Sequence, residues 1–312
     1  MDLRRWEIVF LAALIGGGVS FAVGSCGGED RGSVEVEGST TGAGTSTVGT
    51  TTAPVTVDTT ATDPAELDQA MARIAEYART QTRASVAATM KLQAAIDAGS
   101  VPRAKAAYAA ARPYYERIEP LVALFPELDG KVDAREDAFP KGAKDPNWTG
   151  FHPIERALFR DGEIDADTER LAKLLVTDSR RLDELMQKAE VTPEVVIPGV
   201  AELVDEVEES KITGEEERYS KLDLPTFLAN LEGSRAFYTE LEPLVEAKDP
   251  ELEEQIDDAF DAAFDEVEAL REGGDFVAYD NLTDEQQKAI KQTIEALAEP
   301  LARVQGTLSV GS

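Results

Sequence analysis

The 312-residue chain contains one histidine and one cysteine. A lone cysteine excludes any disulfide within the chain. The two together exclude a Cys/His zinc finger and every site that needs two histidine ligands, H-E-x-x-H included. Basic residues are also scarce: 31 Lys and Arg stand against 61 Asp and Glu, for a formal net charge of −30. Non-specific nucleic-acid binding draws its affinity from clustered Lys and Arg, so nucleic acid is excluded as a partner. Cations are the natural ligands of such a surface. What is present in quantity is apolar: 42% of the residues are hydrophobic, enough to build a core.

The first segment reads as an address. Arg4 and Arg5 precede an apolar stretch from Ile8 to Ile15, of signal-peptide length and too short for a membrane span. Val23-Gly24-Ser25-Cys26 follows and resembles a bacterial lipobox, in which the cysteine is lipidated and becomes the mature N-terminus. Residues 1–25 are therefore expected to be a lipoprotein signal peptide. Residues 26–62 are expected to be the lipidated Cys26 and a tether, since the stretch is rich in Gly, Ser and Thr and has no aromatic residue. Such a composition cannot bury enough apolar surface to offset the entropy of ordering. The mature protein would then be anchored by lipid to the cell membrane and face the extracytoplasmic side, periplasm or cell surface.

From Asp63 to about residue 310 the pattern is helical. Asp63-Pro64 is a cap followed by a proline in the first turn. Leu67, Met71, Ile74, Ala75 and Tyr77 then recur near helical spacing. Helices are expected to about Ala98, over roughly 102–124 and 129–139, and at 153–160, 166–189, 194–209, 224–247, 250–272 and 284–308. Asp223, Asp249 and Thr283 stand where caps belong. Strand signals are nearly absent, so the fold class is all-α. The chain also repeats itself. Ile118-Glu119-Pro120-Leu121-Val122 returns as Leu241-Glu242-Pro243-Leu244-Val245, and Pro126-Glu127-Leu128 returns as Pro250-Glu251-Leu252. The offsets are 241 − 118 = 123 and 250 − 126 = 124, which points to two related helical bundles in tandem.

The chemistry gathers in the first half. Glu116 and Glu119 stand three apart, a spacing that puts two carboxylates on one face of a helix. The only imidazole, His152, precedes Glu155 by three residues, and between these pairs lies Asp133-Ala134-Arg135-Glu136-Asp137, read as a short helix. Singly, each motif also has a plain reading: acidic pairs are solvated helix faces, and His152-Pro153 opens a helix. Together they make an oxygen-rich set with one nitrogen donor. Such a set suits iron or manganese and can also hold Zn2+ or Cu2+. Four carboxylates converging without a cation repel one another, so some are expected to hold protons when no metal is bound.

Gly150-x-His152-x-x-Glu155 resembles the G-x-H-x-x-E mark of the imelysin-like family, in its EfeO/EfeM-type iron-uptake branch. The flanks are similar too: Asp133 to Asp137 before it, Arg156-Ala157-Leu158-Phe159 after it, and in the second half Lys211 to Glu217, Tyr219 to Leu224, Phe227 to Gly233 and Tyr279-Asp280. The resemblance implies an all-α domain of two four-helix bundles over 63–310, bound to the metal that it helps to take up. It implies Glu116, Glu119, Asp133, His152 and Glu155 as metal ligands, iron (Fe2+ or Fe3+) as the ion, and a membrane iron permease and a haem peroxidase as partners. Longer members carry an N-terminal cupredoxin-like domain, whose place the tether takes here. Some imelysin-like proteins are labelled peptidases, so an extracellular metallopeptidase is the alternative. One histidine gives poor support to a zinc peptidase site, which needs three protein ligands, a water and a general base, and no enzymatic activity is expected.

Overall fold

The computed structural model describes residues 62–209 and 213–308. The expected signal peptide, Cys26 and the tether other than Thr62 lie outside the described residues. The chain is predominantly helical: α1 (Pro64–Asp97), α2 (Val101–Glu116), α3 (Glu119–Val122), α4 (Pro126–Val132), α5 (Phe151–Glu155), α6 (Ala166–Met186), α7 (Pro193–Glu209), α8 (Asp223–Glu246), α9 (Pro250–Glu268) and α10 (Asp284–Leu308). Among the described residues the only strands are β1 (Arg271–Glu272) and β2 (Asp275–Phe276), an antiparallel pair around Gly273-Gly274. No helix among the described residues is long and apolar enough to cross a membrane.

Helix α1 shows why the longest element forms. Asp63 accepts a hydrogen bond from the Ala65 amide and Pro64 occupies the first turn, where its missing N–H costs nothing. Ala70, Ile74, Ala78, Ala88, Leu92 and Ile96 are buried and recur at helical spacing, giving one apolar stripe. Many of these side chains are small, which lets α2 and α6 pack closely along it. At the α1–α6 contact the Thr82 hydroxyl donates to Asp183 over 2.7 Å. Further along the chain, α10 packs on α7 and α9, while α8 touches α7, α9, α1 and α2. The buried apolar residues form one connected core. Asp249 caps α9 by accepting from the Leu252 amide, and Thr283 exchanges hydrogen bonds with Gln286 at the start of α10.

Several expected elements change in the structure. The helix read as 102–124 ends at Glu116 and resumes as α3, because Pro120 cannot donate to the Glu116 carbonyl four residues earlier. That carbonyl accepts instead from Asn230 on α8 at 3.2 Å. Glu116 and Glu119 therefore do not share one helix. The helix read as 129–139 is α4 over 126–132, followed by a 3-10 turn at Glu136–Ala138, and Asp133 sits at the end of α4. The helix read as 250–272 ends at Glu268, ahead of the small hairpin. Asp223 opens α8 from inside it, and its carboxylate accepts from the Glu217 amide six residues back.

Candidate metal centre

The centre is built on α2, the end of α4, α5 and the loop before α8. Gly150 sets the approach of α5. Its φ is 93°, and a Cβ there would stand 2.1 Å from the Val132 carbonyl oxygen. Only glycine permits both the left-handed backbone and this contact. The result places His152 beside Asp133, the residue after Val132. Pro153 falls in the first turn of α5, and a π-helical turn at Arg156–Asp161 continues it. Gly150→Ala is expected to lose about 3 kcal/mol from backbone strain alone, with the carbonyl clash adding to it. A melting temperature lower by roughly 6–12 °C follows for a domain of this size. Thermal unfolding checks this, and an unchanged midpoint would show that the contact is not tight.

His152 and Glu155 are both buried. The Glu155 Oε1 atom accepts from the backbone amides of Tyr219 at 2.8 Å and Ser220 at 2.7 Å. Its Oε2 atom lies 3.3 Å from His152 Nδ1. Glu155 is thereby fixed by two amides and orients the ring, the arrangement in which a carboxylate sets the face that an imidazole presents to a metal. The other ring nitrogen, Nε2, makes no hydrogen bond, and Asp133 Oδ1 is 3.4 Å away. Asp133, His152 and Glu216 each bring one donor atom within 4.8 Å of the others. Beside them, bordered by Trp148, His152, Glu155, Glu216 and Tyr219, is a cavity of about 10 Å3, room for about one water or ion.

One cation already holds the carboxylates together. Arg112, buried on α2, contacts Glu116 at 2.5 Å, Glu217 at 2.6 Å, Glu216 at 3.2 Å and also Asp133. Its guanidinium stacks over Phe151 at 5.0 Å. The expectation of carboxylates converging without a cation is thus corrected: Arg112 supplies the charge, and its planar fork suits several acceptors at once. Protons remain in the cluster all the same. Burial, offset in part by Arg112 and reinforced by Glu155, pushes Glu217 up to about 8. Burial alone would lower His152, but Asp133 and Glu155 outweigh it and raise the imidazole to about 10. Burial opposes the ionised form of Glu155, while His152 and the two amides hold its carboxyl below the ordinary range.

The five residues singled out in the sequence fall into two layers. His152 neighbours both Asp133 and Glu155, and Glu116 joins Asp133 through Arg112. Glu119 stands behind Glu116: Asn230 Nδ2 is 3.1 Å from Glu116 Oε2 and 3.0 Å from Glu119 Oε2. The close approach of α8 that permits this depends on Gly233, whose added Cβ would meet the Arg117 carbonyl at 2.3 Å. Sequence reasoning missed Arg112, Glu216, Glu217 and Asn230 as parts of the centre. Signals for three of them lay in the Glu215-Glu216-Glu217 run and in Asn230 to Gly233, both of which carried the family resemblance.

The family model for imelysin (peptidase M75) matches residues 70–304. Over 234 residues the chain is 41% identical to the iron uptake system component EfeO of Escherichia coli K12 and equally to that of Shigella flexneri. The match covers 75% of this chain and 62% of each relative, so the chain spans less than two thirds of their length. A crystal structure of a chain from Parabacteroides distasonis, described as an iron-regulated protein A precursor, superposes with a TM-score of 0.62 at 17% identity. It covers 78% of this chain and 95% of that one, a likeness of fold alone. The glycine-positioned His152 and Glu155 lie within the matched span, and this chain belongs to the imelysin family.

Proposed function

We propose that this protein captures iron outside the cytoplasmic membrane and hands it to a membrane permease. The observation that carries this reading is the trio of half-buried Asp133 with buried His152 and Glu216, in a chain 41% identical to iron uptake components. A nitrogen and several carboxylates suit iron, with zinc or copper as competitors. In this reading Glu116 and Glu119 complete the oxygen set, while Glu155 sets the ring and can join the ligands. Cys26 carries the lipid that ties the domain to the membrane, residues 26–62 are its tether, and a haem peroxidase is a further partner. The division into two four-helix bundles, with the metal held in the first, belongs to the same proposal and is supported by the repeated motifs.

The peptidase reading suggested by the family's other name fits the site less well. The space lined by His152 and Glu155 is about 10 Å3, room for about one water or ion, and a zinc peptidase site would have to draw its remaining ligands from carboxylates. Incubation with iron followed by gel filtration is expected to leave iron on the protein, and unfolded protein substrates are expected to stay intact. Cleavage that persists through rigorous purification and disappears in His152→Ala would overturn the binding-protein reading.

A further inference from the structure

The second half of the repeat has kept part of this machinery. At the offsets of 123 and 124, Arg235 and Asp257 correspond to Arg112 and Asp133 (112 + 123 and 133 + 124), and they form an ion pair as their counterparts do. Glu242 corresponds to Glu119 (119 + 123) and lies 3.6 Å from Arg235. Glu242, Glu253 and Asp257 bring oxygen atoms within 4.8 Å of one another. In the first half, Tyr115 donates a hydrogen bond to Asp129. Their counterparts are Tyr238 (115 + 123) and Glu253 (129 + 124). Tyr238 is 0% exposed, yet its hydroxyl has no hydrogen-bond partner.

A buried hydroxyl without a partner is destabilising, so its presence calls for a reason. The Arg235 guanidinium that pairs with Glu242 and Asp257 also lies 5.8 Å from the centre of the Tyr238 ring, which puts the phenol beside these carboxylates, and they add to burial in raising its pKa. Burial and repulsion from Asp257 also raise Glu242 above its ordinary value. Arg235 ion-pairs with Glu242 and Asp257 of this group, whereas Arg112, Arg135 and His152 all serve the first. The carboxylates of Glu242 and Asp257 are about one third exposed, at 29% and 34%, so an ion can reach them from solvent.

We propose that Tyr238, Glu242, Glu253 and Asp257 form a second cation site that takes a hard, trivalent ion of the ferric type. Three carboxylates and a phenol offer oxygen alone, the donor set for hard cations. Coordination releases the phenolic proton to solvent, and no electron is transferred. The site stands independently of the centre around His152.

The test uses the full chain carrying Asp133→Asn and His152→Ala, which disable the first centre. Ferric iron supplied as its citrate complex is expected to bind at one ion per chain, with a visible phenolate-to-iron charge-transfer band. Tyr238→Phe should remove the band and weaken binding at least tenfold. Glu253→Gln, a substitution in a partly exposed position, should weaken binding at least tenfold in chains whose circular dichroism is unchanged. Terbium(III) at the same site should luminesce through Tyr238, and Tyr238→Phe should extinguish that signal. The proposal fails if the background variant binds no ferric ion, if binding survives Glu253→Gln combined with Asp257→Asn, or if the band survives Tyr238→Phe.

Discussion

Replacing Arg112 with leucine is expected to cost the metal-free protein about 3–5 kcal/mol, the range for breaking a buried ion pair from one side. Glu116, Asp133, Glu216 and Glu217 all meet this one guanidinium, and without it His152 and Arg135, which pairs with Glu216 at 3.0 Å, are left to balance four carboxylates. The melting temperature should fall by about 6–20 °C for a domain of this size. The loss should be smaller at acid pH, where carboxylates can take up protons. A bound metal ion should recover more stability in Arg112→Leu than in the native protein, because the ion replaces the missing charge. Thermal unfolding with and without iron, at two pH values, checks all three expectations. A loss below about 1 kcal/mol would mean that packing, with Phe151 against the guanidinium, matters more than charge.

Metal capture at His152 is expected to be coupled to protons. Its imidazole, raised to about 10 by Asp133 and Glu155 against the effect of burial, is charged at neutral pH and must lose its proton to bind a metal. One proton should therefore leave per ion bound through His152, and apparent affinity should rise about tenfold per pH unit below pH 10. The sign for the metal-free fold is the reverse. A histidine whose folded pKa exceeds its unfolded value near 6.5 contributes stability that is complete below pH 6.5 and is lost as pH rises toward 10. The apo protein should thus lose this contribution over the pH range in which metal binding strengthens. Anaerobic titration with ferrous iron from pH 5.5 to 7.5, in buffers of different ionisation enthalpy, measures both slope and proton count. Affinity independent of pH would exclude His152 as the ligand that gives up the proton.

The helices were readable because their causes are local. Asp63-Pro64 caps α1, and its apolar stripe repeats every three to four residues. The breaks were harder to see. Pro120 interrupts the first half, yet its counterpart Pro243 lies inside the unbroken α8, so the effect of a proline depends on what receives the freed carbonyl. Asn230 on a distant helix receives the one at Glu116, and nothing near Pro120 encodes that contact. The site shows the same division. Gly150, His152 and Glu155 sit in one short motif, and the family resemblance singled out Asp133 from the acidic cluster Asp133 to Asp137. Arg112 was not found, because an arginine on an alanine-rich helix reads as a solvated charge. Its burial arises only when α2, α4 and the loop before α8 meet. Glu216 lay within a run of acids that alone suggests a solvated loop. The carboxylate of Asp223 could not be told from a helix cap without the fold.

The central claim is that iron is held around His152, in the first half of the repeat. Calorimetric titration of iron into four proteins tests it most directly: the native chain, His152→Ala, Glu119→Gln and Glu242→Gln. The tightest binding step should weaken strongly in His152→Ala, by about 10- to 100-fold or more, and clearly in Glu119→Gln. Glu242→Gln should leave that step nearly intact, because Glu242 belongs to the separate cluster with Glu253 and Asp257. An unchanged tight step in His152→Ala would contradict the account, as would equal losses in Glu119→Gln and Glu242→Gln.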